Sequence, residues 1–138
     1  MSTDRDHRSL EALSHAECLR LLAEHPARVG RVAPAAERPD ILPVNYVVDD
    51  AGAVVFRTEE GKKLDLVARG KFVAFEVDTV DAGWRTGWSV LIRGWAEEIT
   101  DPDDLARVQQ LPLDSWAPGT KGHYVRITPE IVSGRRLG

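Results

Sequence analysis

A chain of 138 residues, 43% hydrophobic and 29% charged, suits one domain with one core and is short for two. Its formal net charge is −4, and its longest basic runs, Lys62-Lys63 and Arg135-Arg136, are too short to hold a nucleic-acid duplex, so no nucleic-acid partner is expected. The single cysteine, Cys18, excludes an intrachain disulfide; no segment approaches the ~20 apolar residues of a membrane span, and Met1–Arg8 lacks the apolar stretch of a secretory signal, so a cytoplasmic protein is expected.

Residues 1–10 are polar and read as a flexible N-terminus ahead of one domain over 11–138. Ser14-His15-Ala16-Glu17 has the spacing of a capping box, and Cys18, Leu21 and Leu22 follow as one apolar helical stripe that Pro26 ends. From Arg28 the period changes. Val29 to Ala33 predicts a short strand, and Ile41–Val48 and Ala53–Thr58 predict a hairpin about Asp49-Asp50-Ala51-Gly52. Gly61-Lys62-Lys63 predicts a short helix with Leu64, Val67 and Ala68 on its apolar side and Gly70 as its C′ residue.

Lys71–Asp78 alternates as a strand, Thr79–Thr86 reads as a loop, and Gly87–Ile99 predicts a long strand that bends or bulges at Gly94. Asp101-Pro102 predicts a capped helix start, Leu111–Lys121 a loop, and His123–Thr128 and Ile131–Arg136 two final strands about Pro129-Glu130. Strands that arrive in runs, without regular β-α alternation, argue against a doubly wound parallel sheet. The expected fold is mainly β: a six- to seven-stranded, mostly antiparallel barrel with three short peripheral helices.

The strongest chemical constellation is Arg57-Thr58-Glu59-Glu60-Gly61-Lys62-Lys63. A strand end carrying a cation and a hydroxyl, a glycine turn and two lysines at a helix start are the parts of a phosphate site. The spacing alone leaves a solvated helix start, with Lys62 and Lys63 facing Glu59 and Glu60, equally open. The second constellation is Trp88-Ser89-Val90, where a flat side chain and a hydroxyl meet on one strand and suit an aromatic ligand; Trp88 as core and Ser89 as a bulge residue is the plainer account. The third is Trp116, an anchor in the Pro/Gly-bounded loop Trp116-Ala117-Pro118-Gly119, with a ligand or another subunit as its partner. The histidines lack zinc-like spacing and the serines lack a nucleophile elbow, so no metal and no catalytic side chain is assigned; Asp103-Asp104 is explained by capping and Glu97-Glu98 by a solvent-facing strand.

The ordered set Pro43-Val44-Asn45-Tyr46, Phe56-Arg57-Thr58 with Gly61-Lys62-Lys63-Leu64, Val73–Asp78, Gly87–Gly94, Trp116–Gly119 and Val125–Pro129 resembles the pyridoxamine 5′-phosphate oxidase-related flavin-binding proteins, from about Leu13 to Leu137. The resemblance implies a split β-barrel homodimer with FMN at the subunit interface. It assigns Arg57, Thr58, Lys62 and Lys63 to the FMN phosphate, Trp88, Ser89 and Val90 to the isoalloxazine edge, and Asn45 to the strand along the ring. Trp116 and Arg135 or Arg136 would approach from the partner subunit.

Three departures bear on substrate. No basic residue stands near Tyr46, the Arg-x-His segment that grips the pyridoxal substrate is absent from Arg135-Arg136-Leu137-Gly138, and Ser89 replaces a larger amide. Vitamin B6 oxidation is therefore not expected. The resemblance implies a flavin-dependent oxidoreductase of undefined small-molecule substrate; the alternatives are a reductase using the deazaflavin F420 and a non-catalytic flavin- or haem-binding module.

Overall fold

The computed structural model describes residues 10–59, 61, 64–65, 70–113 and 122–138. Its elements are β1 (Leu10–Ala12), α1 (His15–Glu24), β2 (Val29–Pro34), β3 (Leu42–Val48), β4 (Val54–Thr58), β5 (Lys71–Asp81), β6 (Thr86–Glu98), α2 (Pro102–Val108) and β7 (His123–Leu137). All pairings are antiparallel, in the order β7-β4-β3-β2-β5-β6, and β6 returns to β7 to close a six-stranded barrel; β1 adds to the far end of β7. Closure leaves the six barrel strands no open edge.

Period-two alternation builds the core. Val73, Phe75 and Val77 of β5, Val90, Ile92 and Ala96 of β6, and Val125 and Ile127 of β7 point inward and are buried, with Val32, Tyr46, Val54 and Phe56 from the other strands. Each large apolar side chain buried this way contributes roughly 1.5–3 kcal/mol. Helix α1 plugs one end of the barrel. Its capping box forms as expected, with the Glu17 N–H donating to Ser14 Oγ at 3.1 Å and the Ser14 N–H to Glu17 Oε1 at 2.9 Å. Cys18 and Leu22 are fully buried, and the Tyr46 hydroxyl donates to the Leu22 carbonyl at 2.8 Å, tying helix to barrel.

On the β3–β4 wall both faces are covered. Val47 and Val55 point outward into a second cluster with Ile99, Val108, Leu105, Leu111, Leu113 and Tyr124, which α2 and the segment after it lay over the wall. Arg126, also outward on β7, locks this layer: its guanidinium donates to Asp104 at 2.7 and 2.9 Å and to Asp49 at 3.1 Å. Asp104 is thus more than a first-turn acidic residue, because it ties α2 to β7.

Four expectations need correction. Leu10 is not frayed but pairs with Leu137. Thr79–Asp81 and Thr86 are strand, leaving a turn of only 82–85; exposed Val80 and its polar neighbours gave no burial pattern to reveal the pairing. The last two strands are one, β7, which runs through Pro129-Glu130 as a bulge: Arg93 faces Ile131 and Gly94 faces Pro129, so Glu130 is the extra residue. Glu98 does not face solvent freely; its Oε2 lies 2.5 Å from His123 Nδ1. Of the three expected helices, two stand complete among the described residues, with Leu64–Asp65 helical at the place of the third. No helix among the described residues is long and apolar enough to cross a membrane.

Gly94 makes the bulge sterically possible, because a Cβ there would lie 2.1 Å from the Thr128 carbonyl oxygen. Gly94→Ala is expected to lower stability by about 1–3 kcal/mol, read as a shift of the urea midpoint. Arg126→Met should cost about 1–2 kcal/mol at pH 7, since the pairs are partly exposed. The Arg126 hydrogen bonds hold the Asp104 carboxyl below its ordinary value of 3.8. A depressed carboxyl stabilises the fold above that ordinary value and loses its contribution as pH falls through the lower folded value. The gap between wild type and Arg126→Met should therefore shrink below about pH 4, measured by thermal unfolding across pH.

Candidate functional site

At one end of the barrel, β4 finishes with Arg57 and Thr58, opposite Tyr124 and His123 of β7. Phe56 points into the core, so alternation turns Arg57 outward, where its guanidinium carbon lies 6.0 Å from the Tyr124 ring centre. Its alkyl stem runs over Gly122, where a Cβ would come within 2.1 Å of Arg57 Cγ. The bare backbone of Gly122 thus makes the channel that aims this cation. Beyond Thr58 the chain turns at Gly61, with φ of 133°, and becomes helical at Leu64, whose buried side chain anchors that turn in the core. Lys62, Lys63 and Trp116 lie outside the described residues.

The second constellation sits on β6. Ser89 points outward between Asp78 of β5 and Arg135 of β7, its register partners. It opens on a groove of about 420 Å³ whose lining includes Leu10, Val80, Arg85, Trp88 and Arg135. Apolar walls with two guanidinium-bearing residues and one carboxylate, Asp78, are suited to a flat ring with a hydrogen-bonding edge. Trp88 points to the barrel side at this end, and its ring meets His25 edge-on with centroids 5.5 Å apart. Val90 is 1% exposed and packed in the core, so its side chain offers nothing to a ligand at the surface. Arg136 turns from the groove toward Glu11, at 3.9 Å.

Asn45 lies on neither of these surfaces. It lines a separate cleft of about 140 Å³ with Glu24, His25, Pro26, Ala27, Arg28, Tyr46 and Pro112. Sequence reasoning passed over His25 and Arg28, since neither has a motif around it. His25 does connect this cleft to Trp88, so Asn45 and Trp88 are neighbours at one remove.

Among the described residues, the two principal constellations do not share one pocket. β7 is the strand between β4 and β6 on one side, but Thr58 pairs with His123 and Ser89 with Arg135. Those partners are separated by about 40 Å of strand contour at ~3.3 Å per residue. On the other side β3, β2 and β5 intervene. A ligand that uses both constellations therefore needs the second from elsewhere.

A family model described as pyridoxamine 5′-phosphate oxidase matches residues 14–136. The uncharacterized protein Rv0080 of Mycobacterium tuberculosis is 41% identical over 94% of this chain and 87% of its own length. Two solved structures are similar along nearly the whole chain. The FAD binding protein of Mycobacterium smegmatis is 38% identical, with a TM-score of 0.81, over 92% of this chain and 98% of that one. An FAD-binding protein of Mesorhizobium loti is 30% identical, with a TM-score of 0.76, over 94% and 99%. A family match that runs from the α1 cap to the last residues of β7, on a closed antiparallel barrel, shows that the chain belongs to the pyridoxamine 5′-phosphate oxidase family.

Proposed function

We propose that the chain binds a flavin nucleotide between two copies of itself and serves as a flavin-dependent oxidoreductase. The observation that carries this reading is the division of the site. One copy offers an outward cation, Arg57, with the hydroxyl-bearing Thr58 next to it at the strand end, suited to a phosphate; Trp88, Ser89 and Arg135, suited to a ring edge, sit on another wall. Two copies arranged antiparallel would complete each other, with Lys62 and Lys63 joining the phosphate end and Trp116 closing the ring end. The outer wall of β5, β6 and β7 has the chemistry to seat the second copy. Trp95 and Ile131 are 47% and 48% exposed, and Phe72 packs edge-on against Trp95 at 5.0 Å.

The donor set fits the group. Charge-assisted hydrogen bonds contribute roughly 1.5–3 kcal/mol each, so an arginine, a hydroxyl and a lysine pair suffice for micromolar affinity after association costs. FMN is the cofactor this short phosphate cradle suits. FAD is the second reading, favoured by the two FAD-binding relatives, with the adenosine half lying outside the cradle. When bound, the flavin would supply hydride transfer; the protein's residues would orient it and exclude water. Vitamin B6 is not the substrate proposed. The fold does set a cation, Arg28, beside Tyr46, but the Arg-x-His segment that would grip a pyridoxal substrate is absent from Arg135-Arg136-Leu137-Gly138, and the Tyr46 hydroxyl is spent on Leu22.

The visible spectrum of freshly purified protein, followed by chromatography of the released chromophore, tests the premise. Two flavin bands with FMN or FAD released are expected; a Soret band would replace the reading with haem. Lys62→Ala with Lys63→Ala should weaken flavin binding at least tenfold, and unchanged affinity in the folded double variant would sink the cradle. Gly122→Ala adds one methyl and no charge, yet should weaken flavin binding several-fold by displacing Arg57, measured by fluorescence titration. Light scattering of the purified protein should give the mass of two chains, and a monomer carrying tightly bound flavin would overturn the shared site.

A further inference from the structure

Among the described non-glycine residues, two sit in the left-handed backbone region: Arg28, with φ of 50°, and Arg85, with φ of 54°. Both are arginines and each lines a different pocket. That conformation is disfavoured for a residue with a Cβ and is retained where surrounding structure over-determines it. Around Arg28 it is over-determined. The Arg28 carbonyl accepts from the Tyr46 N–H at 3.0 Å, and one guanidinium N–H donates to the Pro112 carbonyl at 3.3 Å. Glycine would adopt this backbone at no steric cost, so the backbone conformation does not itself account for an arginine here.

The cleft beside it is equally specific. His25 Nδ1 accepts the Ala27 N–H at 3.1 Å, which in the neutral ring puts the proton on Nε2 and makes that atom a donor. The ring is held edge-on to Trp88. Asn45 supplies an amide to the same cleft, and the floor is the buried Tyr46. Glu24 also lines it, but its carboxylate is engaged by Arg20 at 3.7 Å one helical turn back. At about 140 Å³ the cleft is the smaller of the two, a third of the groove at Ser89, and suits a compact ligand.

We propose that His25, Arg28 and Asn45 form a subsite for a small carboxylate, the anionic group of the molecule that reacts at this site. The placement of that carboxylate beside a flavin rests on the preceding reading; the carboxylate subsite itself does not. The guanidinium gives planar, charge-assisted recognition, the imidazole and amide fix orientation, and the cleft size limits the ligand to a short chain.

The test is calorimetric titration of the protein as purified with acetate, pyruvate and inorganic phosphate, repeated on variants and paired with the visible spectrum. Saturable binding of acetate or pyruvate is expected, weakened at least tenfold in Arg28→Gly and several-fold in His25→Ala. Arg28→Gly should keep or raise the thermal midpoint, because it relieves the backbone; Arg28→Asn, which also tolerates this conformation, serves if the glycine variant does not fold. Wild-type carboxylate affinity in both Arg28 variants, or no carboxylate binding at all, overturns the proposal. Phosphate binding more tightly than either carboxylate overturns the ligand class. A colourless protein that still binds pyruvate through Arg28 keeps the subsite and removes the flavin reading. A flavin-coloured protein indifferent to Arg28 does the reverse.

Discussion

The barrel depends on β7 pairing with two strands at once. Its first residues form a ladder with β4 while most of its length runs against β6, and its last residues, Arg135 to Leu137, also receive β1. The bulge at Glu130 bends the strand between its β4-paired and β6-paired stretches. The close approach of the Thr128 carbonyl to the Gly94 α-carbon leaves no room for a side chain. The register beyond the bulge then decides which residues meet: Ser89 lies beside Arg135 because the ladder resumes there, and a slip of one residue would turn each to the other face.

Covering the barrel is uneven, and that unevenness organises function. α2 and the segment after it bury the outer face of β3 and β4, with the Arg126, Asp49 and Asp104 contacts fastening that layer. The walls of β5, β6 and β7 have no such cover in the described chain and present Trp95, Ile131 and the edge of Phe72. One wall is thus finished internally, whereas the other has the apolar surface that a second copy would bury.

The site residues follow the same division. Arg57 is aimed by the gap over Gly122 and by Tyr124, far along β7 from the groove at Ser89. Between the two, α1 ends at His25, which touches Trp88 on one side and the Arg28 cleft on the other. The α1 terminus is therefore where a ring site and a small anion site would adjoin.

Much of this was legible in the sequence because it is local physics. The capping box at Ser14 and Glu17, the Asp101-Pro102 helix start, the alternation of β5 and β6 and the bend at Gly94 each rest on a few neighbouring residues and appear where expected. The ordered motifs also gave the family. What the sequence could not express were consequences of strands meeting across the barrel. Pro129-Glu130 reads locally as a break and is a bulge because β6 runs unbroken opposite it. Asp104 reads as a capping residue and pairs with Arg126, which is remote in sequence. Arg28 has no local signal at all: its left-handed backbone comes with its carbonyl paired to the Tyr46 N–H, and only the closed barrel sets it beside His25 and Asn45. Local rules determined the elements and the chemistry each one carries; long-range pairing decided which of those chemistries share a surface.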